Sequence, residues 1–148
     1  MEPIFYSDEA FMKEAIREAQ KAFEKDEVPI GAVIVCQNRV IARAHNLTEC
    51  LNDVTAHAEM QAITAAANYL GSKYLTDCTL YVTVEPCVMC AGALFWSQIS
   101  RIVYAADDPK RGFTLLKKNI LHPKTKAEGG PMKETAAQMM ADFFKKKR

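Results

Sequence analysis

The sequence predicts an α/β domain in which a mixed sheet carries helices on both faces. Two strand-like segments flank a polar turn in the first third of the chain, and a strand–helix–strand unit follows later. Such a unit implies two parallel strands joined by a right-handed crossover. Amphipathic helical segments come before, between and after these strands, as in a layered α/β fold. The length of 148 residues fits a single domain, residues 1–148.

The first predicted helix begins after Ser7, a good N-cap that acidic residues follow. Apolar residues at helical spacing continue it to about Lys25. These residues are Phe11, Ala15, Ala19, Ala22 and Phe23. Two apolar segments, residues 30–35 and 40–44, then flank the polar turn at residues 37–39. They predict a hairpin of two antiparallel strands.

A second helix is predicted over about residues 56–70, with Thr55 as its N-cap and Gly71 as its C-terminal stop. The strand–helix–strand unit comes next and consists of residues 79–85, 87–97 and 101–105. Residues 107–126 are polar and are expected to be irregular. A last helix is predicted over about residues 133–147, after a Gly-Gly-Pro break.

The cysteine and charge content indicates a chain without disulfides and without a membrane segment. The five cysteines are an odd number, and the sequence has no apolar run of about 18 residues. We expect no leader peptide, because the first residues lack a basic segment followed by an apolar one. We therefore expect a cytoplasmic protein with no membrane contact. The net charge is +1, and residues 145–148 alone carry +4, so the remainder carries −3. This basic end is either a solvated tail or a local contact for nucleic acid.

Cys87 and Cys90 are candidate metal ligands at the point where a predicted strand ends and a helix begins. Residues i and i+3 share one face of a helix, so both sulfur atoms can reach a single ion. Pro86 suits the helix start because no amide donor is needed there, and a helix N-terminus favours thiolates. A Cys-x-x-Cys pair after a strand is also typical of thioredoxin-like redox proteins. The pair alone does not separate the two interpretations.

His57 and Glu59 favour the metal interpretation. Along a regular helix, residues i and i+2 lie about 200° apart, so these two side chains can face one site only where the helix begins. A lone histidine or glutamate at a helix start is usually a surface residue, but their combination with two cysteines indicates a shared site. Two helix N-termini would then meet at one ion.

The number of ligands decides between a structural and a catalytic ion. A closed structural zinc site needs four protein ligands, whereas the histidine and the two cysteines leave one position for water. Cys78 lies at the opposite end of the predicted strand, roughly 23 Å from Cys87. The sequence alone does not place Cys36 and Cys50. We predict an open catalytic site, and the closed site is its alternative.

The three ligands and the glutamate predict an enzyme that activates water on zinc. Zn²⁺ held by His57, Cys87 and Cys90 would lower the pKa of bound water to about 7 and provide hydroxide at neutral pH. Glu59 would carry protons from the water to the ring nitrogen and the departing amine. The His-Glu-x-x-His motif of zinc peptidases is absent. The pattern His-x-Glu followed by Pro-Cys-x-x-Cys is instead the signature of zinc-dependent deaminases.

Longer stretches of the chain resemble the bacterial tRNA-specific adenosine deaminases, which belong to the cytidine and deoxycytidylate deaminase superfamily. These stretches are residues 28–33, 45–46, 55–59, 80–93 and 101–104. The resemblance implies a three-layer α/β/α fold like that of cytidine deaminase, with about five strands, one Zn²⁺ per subunit and no organic cofactor. It also implies a homodimer that converts adenosine to inosine at the wobble position of a tRNA anticodon stem-loop.

The same resemblance assigns four substrate contacts. Asn46 would hydrogen-bond the flipped purine, and Phe144 with the basic end would approach the RNA. Asp108 and Lys110 would lie near the anticodon nucleotides. Taken by itself, Asn46 is an ordinary turn residue after a strand. Phe143 and Phe144 are equally typical of the core and the end of a helix.

Two features leave alternatives open. Residues 124–132 are shorter than the family pattern and differ from it in composition, which leaves the last strand and its RNA contacts open. Trp96 stands where guanine deaminases of the same fold often have an aromatic residue, although an indole on this helix also fits core packing. The alternatives are a free-nucleobase or nucleoside deaminase acting on guanine or cytosine, and a non-enzymatic structural zinc module.

Overall fold

Helices and strands alternate along the chain as the sequence predicts. A computed structural model describes residues 6–147. The elements in chain order are α1 (Asp8–Glu24), β1 (Gly31–Cys36), β2 (Arg39–His45), α2 (Ala58–Leu70), β3 (Cys78–Val84), α3 (Val88–Ser97), β4 (Arg101–Ala106), β5 (Lys126–Gly129) and α4 (Lys133–Lys146). A 3₁₀ turn, Phe113–Leu115, lies between β4 and β5. Within the described residues, each helix is too short or too polar to cross a bilayer.

The strands form one mixed sheet of five, in the order β2-β1-β3-β4-β5. β1 pairs antiparallel with β2 and with β3, whereas β4 pairs parallel with β3 and with β5. The hairpin of β1 and β2 turns through Gln37 and Asn38, which both have positive φ. The mixed sheet, the hairpin and the parallel strands on either side of α3 confirm the predictions.

Helices cover both faces of the sheet. On one face, α2 and α3 pack over a core that includes Ala32, Ile34, Ala58, Ala62, Leu80, Val82, Leu94 and Ile102. On the other face, α1 and α4 pack over a core that includes Met12, Ala15, Val33, Val35, Tyr81, Val103 and Ala136. Successive side chains of a strand point to opposite faces, so the neighbours Val33 and Ile34 belong to different cores. The architecture is therefore three-layer α/β/α.

The starts of α1 and α2 differ in how well the sequence predicts them. α1 begins at Ser7, whose hydroxyl accepts a backbone N–H of the first turn at 3.0 Å. The N-cap of α2 is His57 rather than Thr55, so that prediction is wrong. The hydroxyl and the backbone N–H of Thr55 donate to the Asp53 carboxylate at 2.7 and 2.8 Å, and they close a turn before the helix. α2 ends as predicted at Gly71, whose φ is 66°.

β5 has no apolar pattern in the sequence. Its four residues are all exposed, and it is an edge strand held by backbone pairing to β4. Glu128 accepts a hydrogen bond from Arg101 Nε at 2.8 Å, and an added Cβ on Gly129 would come within 2.4 Å of the Tyr104 ring. The expectation of irregular chain is therefore wrong where β5 begins. An edge strand with both faces exposed lacks the alternation that predicts strands, but the five strands implied by the resemblance are present.

Gly31, the first residue of β1, lies directly against the backbone of α1. A Cβ at this position would lie 2.1 Å from the Ala15 carbonyl oxygen and 2.3 Å from the Ala19 nitrogen. Gly31→Ala should therefore lower the free energy of unfolding by about 1–3 kcal/mol, because helix backbone cannot move aside as a side chain can. Thermal denaturation measures this loss. Lys13→Ala is the control, since Lys13 is an exposed residue within α1 and exchanges at the surface change stability by about 0.5 kcal/mol or less. A Gly31→Ala protein with the melting temperature of the wild type would contradict the prediction.

Candidate metal centre

The starts of α2 and α3 lie side by side. The N-cap of α2 is His57 (φ −72°, ψ 154°), and the N-cap of α3 is Cys87 (φ −74°, ψ 175°). Neither side chain makes a capping hydrogen bond to its own helix. The two side chains face each other instead, with Cys87 Sγ 3.7 Å from His57 Nδ1. The helix that carries His57 thus begins at this residue, as the shared site requires.

Cys90, in the first turn of α3, completes a group of three donor atoms. Its Sγ lies 3.5 Å from His57 Nδ1, and the ligand atoms of His57, Cys87 and Cys90 all lie within 4.8 Å of one another. The other three cysteines of the chain do not join this group. Two sulfur atoms and one imidazole nitrogen suit zinc, and three protein ligands leave one position open. Among residues 6–147, the donor set therefore fits an open metal site rather than a closed one.

The pKa values of Cys87, Cys90 and His57 indicate that these three side chains would bind a cation. A hydrogen bond with Cys90, together with one from His57, lowers the pKa of the Cys87 thiol to about 4. The same contact with Cys87, together with burial, raises the pKa of Cys90. Hydrogen bonding to Cys87 also raises the pKa of His57. Without a metal, the Cys87 thiolate is therefore stabilised by hydrogen bonds with Cys90 and His57. A metal ion would take the place of the protons in these hydrogen bonds.

Glu59 places a buried carboxyl group against the three donors. Its residue surface is only 3% exposed, and burial raises the pKa of the carboxyl to about 7. Interaction with the nearby Cys90 thiol offsets part of this rise in pKa. Glu59 can share a site with His57 because it is the second residue of α2, where the helix has only begun. A carboxyl group with a pKa near neutrality can both accept and donate a proton.

Asn46 follows β2 and is nearly buried. Its side-chain nitrogen donates to Glu27 Oε1 at 3.5 Å and to Thr48 Oγ1 at 3.4 Å. The backbone N–H of Leu47 donates to the Ala56 carbonyl at 3.0 Å, just before the N-cap of α2. The strand end that carries Asn46 is thus tied to the segment that leads into the metal centre. Asn46 is a fixed residue and not a solvated turn residue.

Asp108, Lys110 and Phe144 line one cavity of about 780 Å³. The other lining residues include Val28, Ile30, Val84, Ala106, Arg111 and Lys147. The Asp108 carboxylate accepts the backbone N–H groups of Lys110 and Arg111, both at 3.0 Å, so it shapes the loop in which it lies. The structure therefore brings together three of the four residues that the resemblance assigns to substrate.

The basic end of the chain makes internal contacts. Phe143 is buried and packs edge-on against an aromatic ring of α1, whereas Phe144 is 46% exposed at the cavity. The first ring is therefore core, and the second is available to a ligand. Lys147 pairs with Asp26 just after α1. Arg148, the last residue of the predicted basic end, lies outside the described residues.

Glu85 is a buried carboxylate that sequence reasoning missed. It accepts the backbone N–H of Asp108 at 3.1 Å, and it accepts the backbone N–H and hydroxyl of Thr114 at 2.9 and 2.6 Å. It thus fastens both ends of residues 107–114, the cavity loop, to the segment just before Cys87. A glutamate that closes an otherwise apolar strand is the signal that could have revealed it.

Trp96 lies on the outer side of α3, where its residue surface is 76% exposed. The buried positions of this helix are instead Cys90, Ala91, Leu94 and Ser97. Core packing of the indole is therefore the wrong interpretation, because the helix turns this position away from the sheet. An exposed ring of this size is typical of a contact surface.

The fold and the site define a deaminase. A family model described as MafB19-like deaminase matches residues 6–148. The tRNA-specific adenosine deaminase of Aquifex aeolicus is 48% identical over an alignment of 145 residues, and the alignment covers 95% of each chain. The chain belongs to the family of tRNA-specific adenosine deaminases, which are enzymes that act on C–N bonds. The resemblance of its motifs to this family is thereby confirmed.

Two solved structures are also similar. One comes from a study of A-to-I editing by tRNA:A34 deaminases at the wobble position of transfer RNA. It is 44% identical with a TM-score of 0.80, over 88% of this chain and 98% of that one. The other is a guanine deaminase from Bacillus subtilis. It is 41% identical with a TM-score of 0.65, over 68% of this chain and 65% of that one.

Proposed function

We propose that this protein converts adenosine to inosine at the wobble position of a tRNA anticodon stem-loop. The observation that carries the reaction is the buried Glu59 carboxyl beside the group of His57, Cys87 and Cys90. Hydrolytic deamination needs an activated water and a proton carrier at one place. The degree of sequence identity supports the substrate, since the tRNA-specific relative is 48% identical over 95% of this chain, whereas a guanine deaminase from Nitrosomonas europaea that covers as much of the chain is 21% identical.

We assign His57, Cys87 and Cys90 as the ligands of one Zn²⁺ per subunit. When bound, the ion lowers the pKa of a water molecule to about 7 and makes it a nucleophile at neutral pH. The N-termini of α2 and α3 stabilise the ligands' negative charge, because the positive ends of both helix dipoles lie there. Hydrolysis needs no organic cofactor, since water is the only co-substrate.

Glu59 is the proton carrier in this proposal. Its carboxylate takes a proton from the water that adds to C6 of adenine and delivers it to N1 of the ring. The second proton passes through the same carboxyl group to the amino group, which leaves as ammonia when the C6–N6 bond breaks. The base thereby becomes hypoxanthine. Burial holds the pKa of Glu59 at about 7 in the metal-free protein. A pKa near neutrality suits a group that must both accept and donate a proton.

The surface around the site suits a nucleotide chain better than a free base. Lys110 and Arg111 line both the cavity of about 780 Å³ and a cleft of about 330 Å³ that reaches Cys87. Cations in this position can neutralise phosphates of RNA that crosses both. We assign Lys110 and Asp108 to the anticodon nucleotides. Asn46 is assigned to the purine, and the Phe144 ring is assigned to stacking on a base.

The test is turnover of an anticodon stem-loop RNA with adenosine at the wobble position. We expect inosine at that position, which reverse transcription and sequencing read as guanosine. A stem-loop with its only loop adenosine at another position is the control and should remain unchanged. Turnover of free guanine or cytosine without conversion of the stem-loop would overturn the RNA substrate and leave the deaminase chemistry intact.

We further propose a homodimer that uses the outer face of α3. Val88 and Trp96 are exposed along this helix, and Val88 shares a cleft with the exposed side chains of Leu115 and Leu116. Apolar patches of this kind mark protein contacts. Val88 directly follows Cys87, so a partner seated there would help to shape the RNA surface.

Free cysteines throughout the chain also fit the reducing cytoplasm, where we place the protein.

Trp96→Glu should convert the dimer to a monomer without unfolding the chain, because a charge would have to be buried in the contact. Sedimentation equilibrium measures the mass of the particle. Tyr6→Glu is the control, since this exposed ring packs on Phe11 of α1, on the other side of the sheet. A Trp96→Glu protein that remains dimeric would show that the contact lies elsewhere.

A further inference from the structure

Glu27, just after α1, is a buried carboxylate with no place in the mechanism above. Its residue surface is 1% exposed. Three N–H groups surround it: the backbone N–H of Glu49 at 3.1 Å, that of Cys50 at 2.6 Å, and the side-chain nitrogen of Asn46 at 3.5 Å. Nothing in the sequence around Glu27 distinguishes it from a glutamate of a solvated turn. Its contacts place it behind the residue that we assign to the purine.

The contact with Glu27 fixes which end of the Asn46 amide faces the protein. Both oxygens of the Glu27 carboxyl group already accept a backbone N–H, so the NH₂ group of Asn46, and not its oxygen, must point toward them. The hydroxyl of Thr48 accepts the other N–H at 3.4 Å. Both donors of Asn46 are therefore directed into the protein. The opposite orientation would set a carbonyl oxygen against a carboxylate oxygen.

The remaining atom, Oδ1 of Asn46, is left for a ligand. Of the two polar side-chain atoms of Asn46, only the nitrogen takes part in hydrogen bonds with the described residues. Within residues 6–147, no fully buried side-chain oxygen or nitrogen lacks a partner, so Oδ1 is not sealed inside the protein. The Gln61 side chain donates to the carbonyls of His45 and Ala56, at 2.8 and 3.1 Å. Gln61 thereby holds the end of β2, next to Asn46, beside the start of α2, where the metal centre lies.

We propose that Glu27 is a positioning residue that makes Asn46 a hydrogen-bond acceptor toward the substrate, so that the site selects a nucleotide with an N–H or O–H donor at this point. The inference rests on the proposed function, because it takes Asn46 as a substrate contact. A substrate with a hydrogen-bond acceptor at this point would place that acceptor against Asn46 Oδ1. No proton would then lie between the two acceptors. Sites built around a buried hydrogen bond discriminate strongly against such mismatches.

The test is an exchange of the two side chains. Asn46→Asp alone sets two carboxylates about 3.5 Å apart, and their repulsion should lower kcat/KM by about tenfold or more. Glu27→Gln alone places an amide against two backbone donors and the Asn46 amide, and it should also lower kcat/KM. The double variant restores one N–H between the side chains and keeps an oxygen toward the substrate. It should recover about tenfold over Asn46→Asp.

A purely structural role for Glu27, in holding the backbone at Glu49 and Cys50, predicts a different pattern. The losses in kcat/KM would then multiply in the double variant, and that result overturns the proposal. If Asn46→Asp does not fold, Asn46→Ala replaces it as the background. Glu27→Gln should lose most of its effect on kcat/KM when Asn46 is already alanine. An undiminished effect in that background also overturns the proposal.

Wild-type turnover of the stem-loop, measured first, separates this inference from the proposed function. If the wild type does not convert the stem-loop, the proposed function fails. The effects of the Asn46 and Glu27 variants are then measured as changes in melting temperature instead of kcat/KM. Asn46→Asp should then lower the melting temperature and Glu27→Gln should restore part of it, whereas additive losses overturn the inference. Zinc content and circular dichroism of each variant establish that the compared proteins share one fold.

Discussion

The Glu59→Gln variant should retain its metal and lose turnover by about 10²–10⁴-fold, the range that general acid–base catalysis contributes. Glutamine has nearly the same shape and keeps the buried position, but its amide cannot carry a proton between water and base. The loss should appear in kcat, since the carboxyl acts on reacting atoms. Steady-state kinetics on the stem-loop and zinc analysis of the same sample provide the two measurements.

The melting temperature shows whether Glu59→Gln loses turnover because it unfolds. Burial raises the pKa of Glu59, so the fold opposes its ionised form, and a neutral amide should leave the melting temperature unchanged or higher. Glu14→Gln is the control, because Glu14 pairs with Arg17 and Arg43 on the surface of α1. It should retain full turnover. If Glu59→Gln retained both zinc and full activity, the structural zinc module would replace the deaminase mechanism.

Cys90→Ala should weaken zinc binding by more than about 100-fold and abolish turnover, since even the loss of a residue that only supports a ligand costs about 10–100-fold. Cys78→Ala is its matched control. Both thiols are buried, but Cys78 lies at the far end of β3 and outside the donor group. Elemental analysis after purification should find about one zinc per chain in the wild type and in Cys78→Ala, and almost none in Cys90→Ala.

Chelation provides the same comparison without a mutation. Removal of the metal should abolish deamination, and added Zn²⁺ should restore it. Metal-free thiols are expected to be reactive, because the hydrogen bond with Cys90 holds the pKa of Cys87 at about 4. Protein purified under reducing conditions with no bound zinc and full activity would instead support the thiol-redox interpretation of the Cys-x-x-Cys pair.

The sequence predicts those parts of the fold and the site whose local chemistry is specific. Gly71 ends α2 because its φ is positive, and Ser7 caps α1 because its hydroxyl reaches a backbone N–H. The constraint that His57 and Glu59 face one point located the start of α2 more accurately than the cap preference of Thr55 did. A requirement on side-chain direction thus proved stronger than a preference of residue type.

The missed features depend on distant contacts that no local pattern records. β5 has four exposed residues, and only its pairing with β4 makes it a strand. The roles of Glu27 and Glu85 come from backbone amides that lie 22 or more positions away in the chain. Trp96 is apolar yet exposed, so core packing, one of the two interpretations that the sequence left open for it, is wrong. Tertiary pairing, not residue type, decides these positions.

The Glu85 contacts limit how this enzyme can change its substrate during evolution. Its carboxylate oxygens hold amides at both ends of the cavity loop, and an added Cβ on Gly112 would lie 2.3 Å from the carboxyl group. An insertion or deletion within residues 107–114 would pull one end away and leave a buried charge without partners. New specificities should therefore arise by exchange of side chains such as Asp108 and Lys110 within a loop of constant length, and loop grafting is a poor route to redesign.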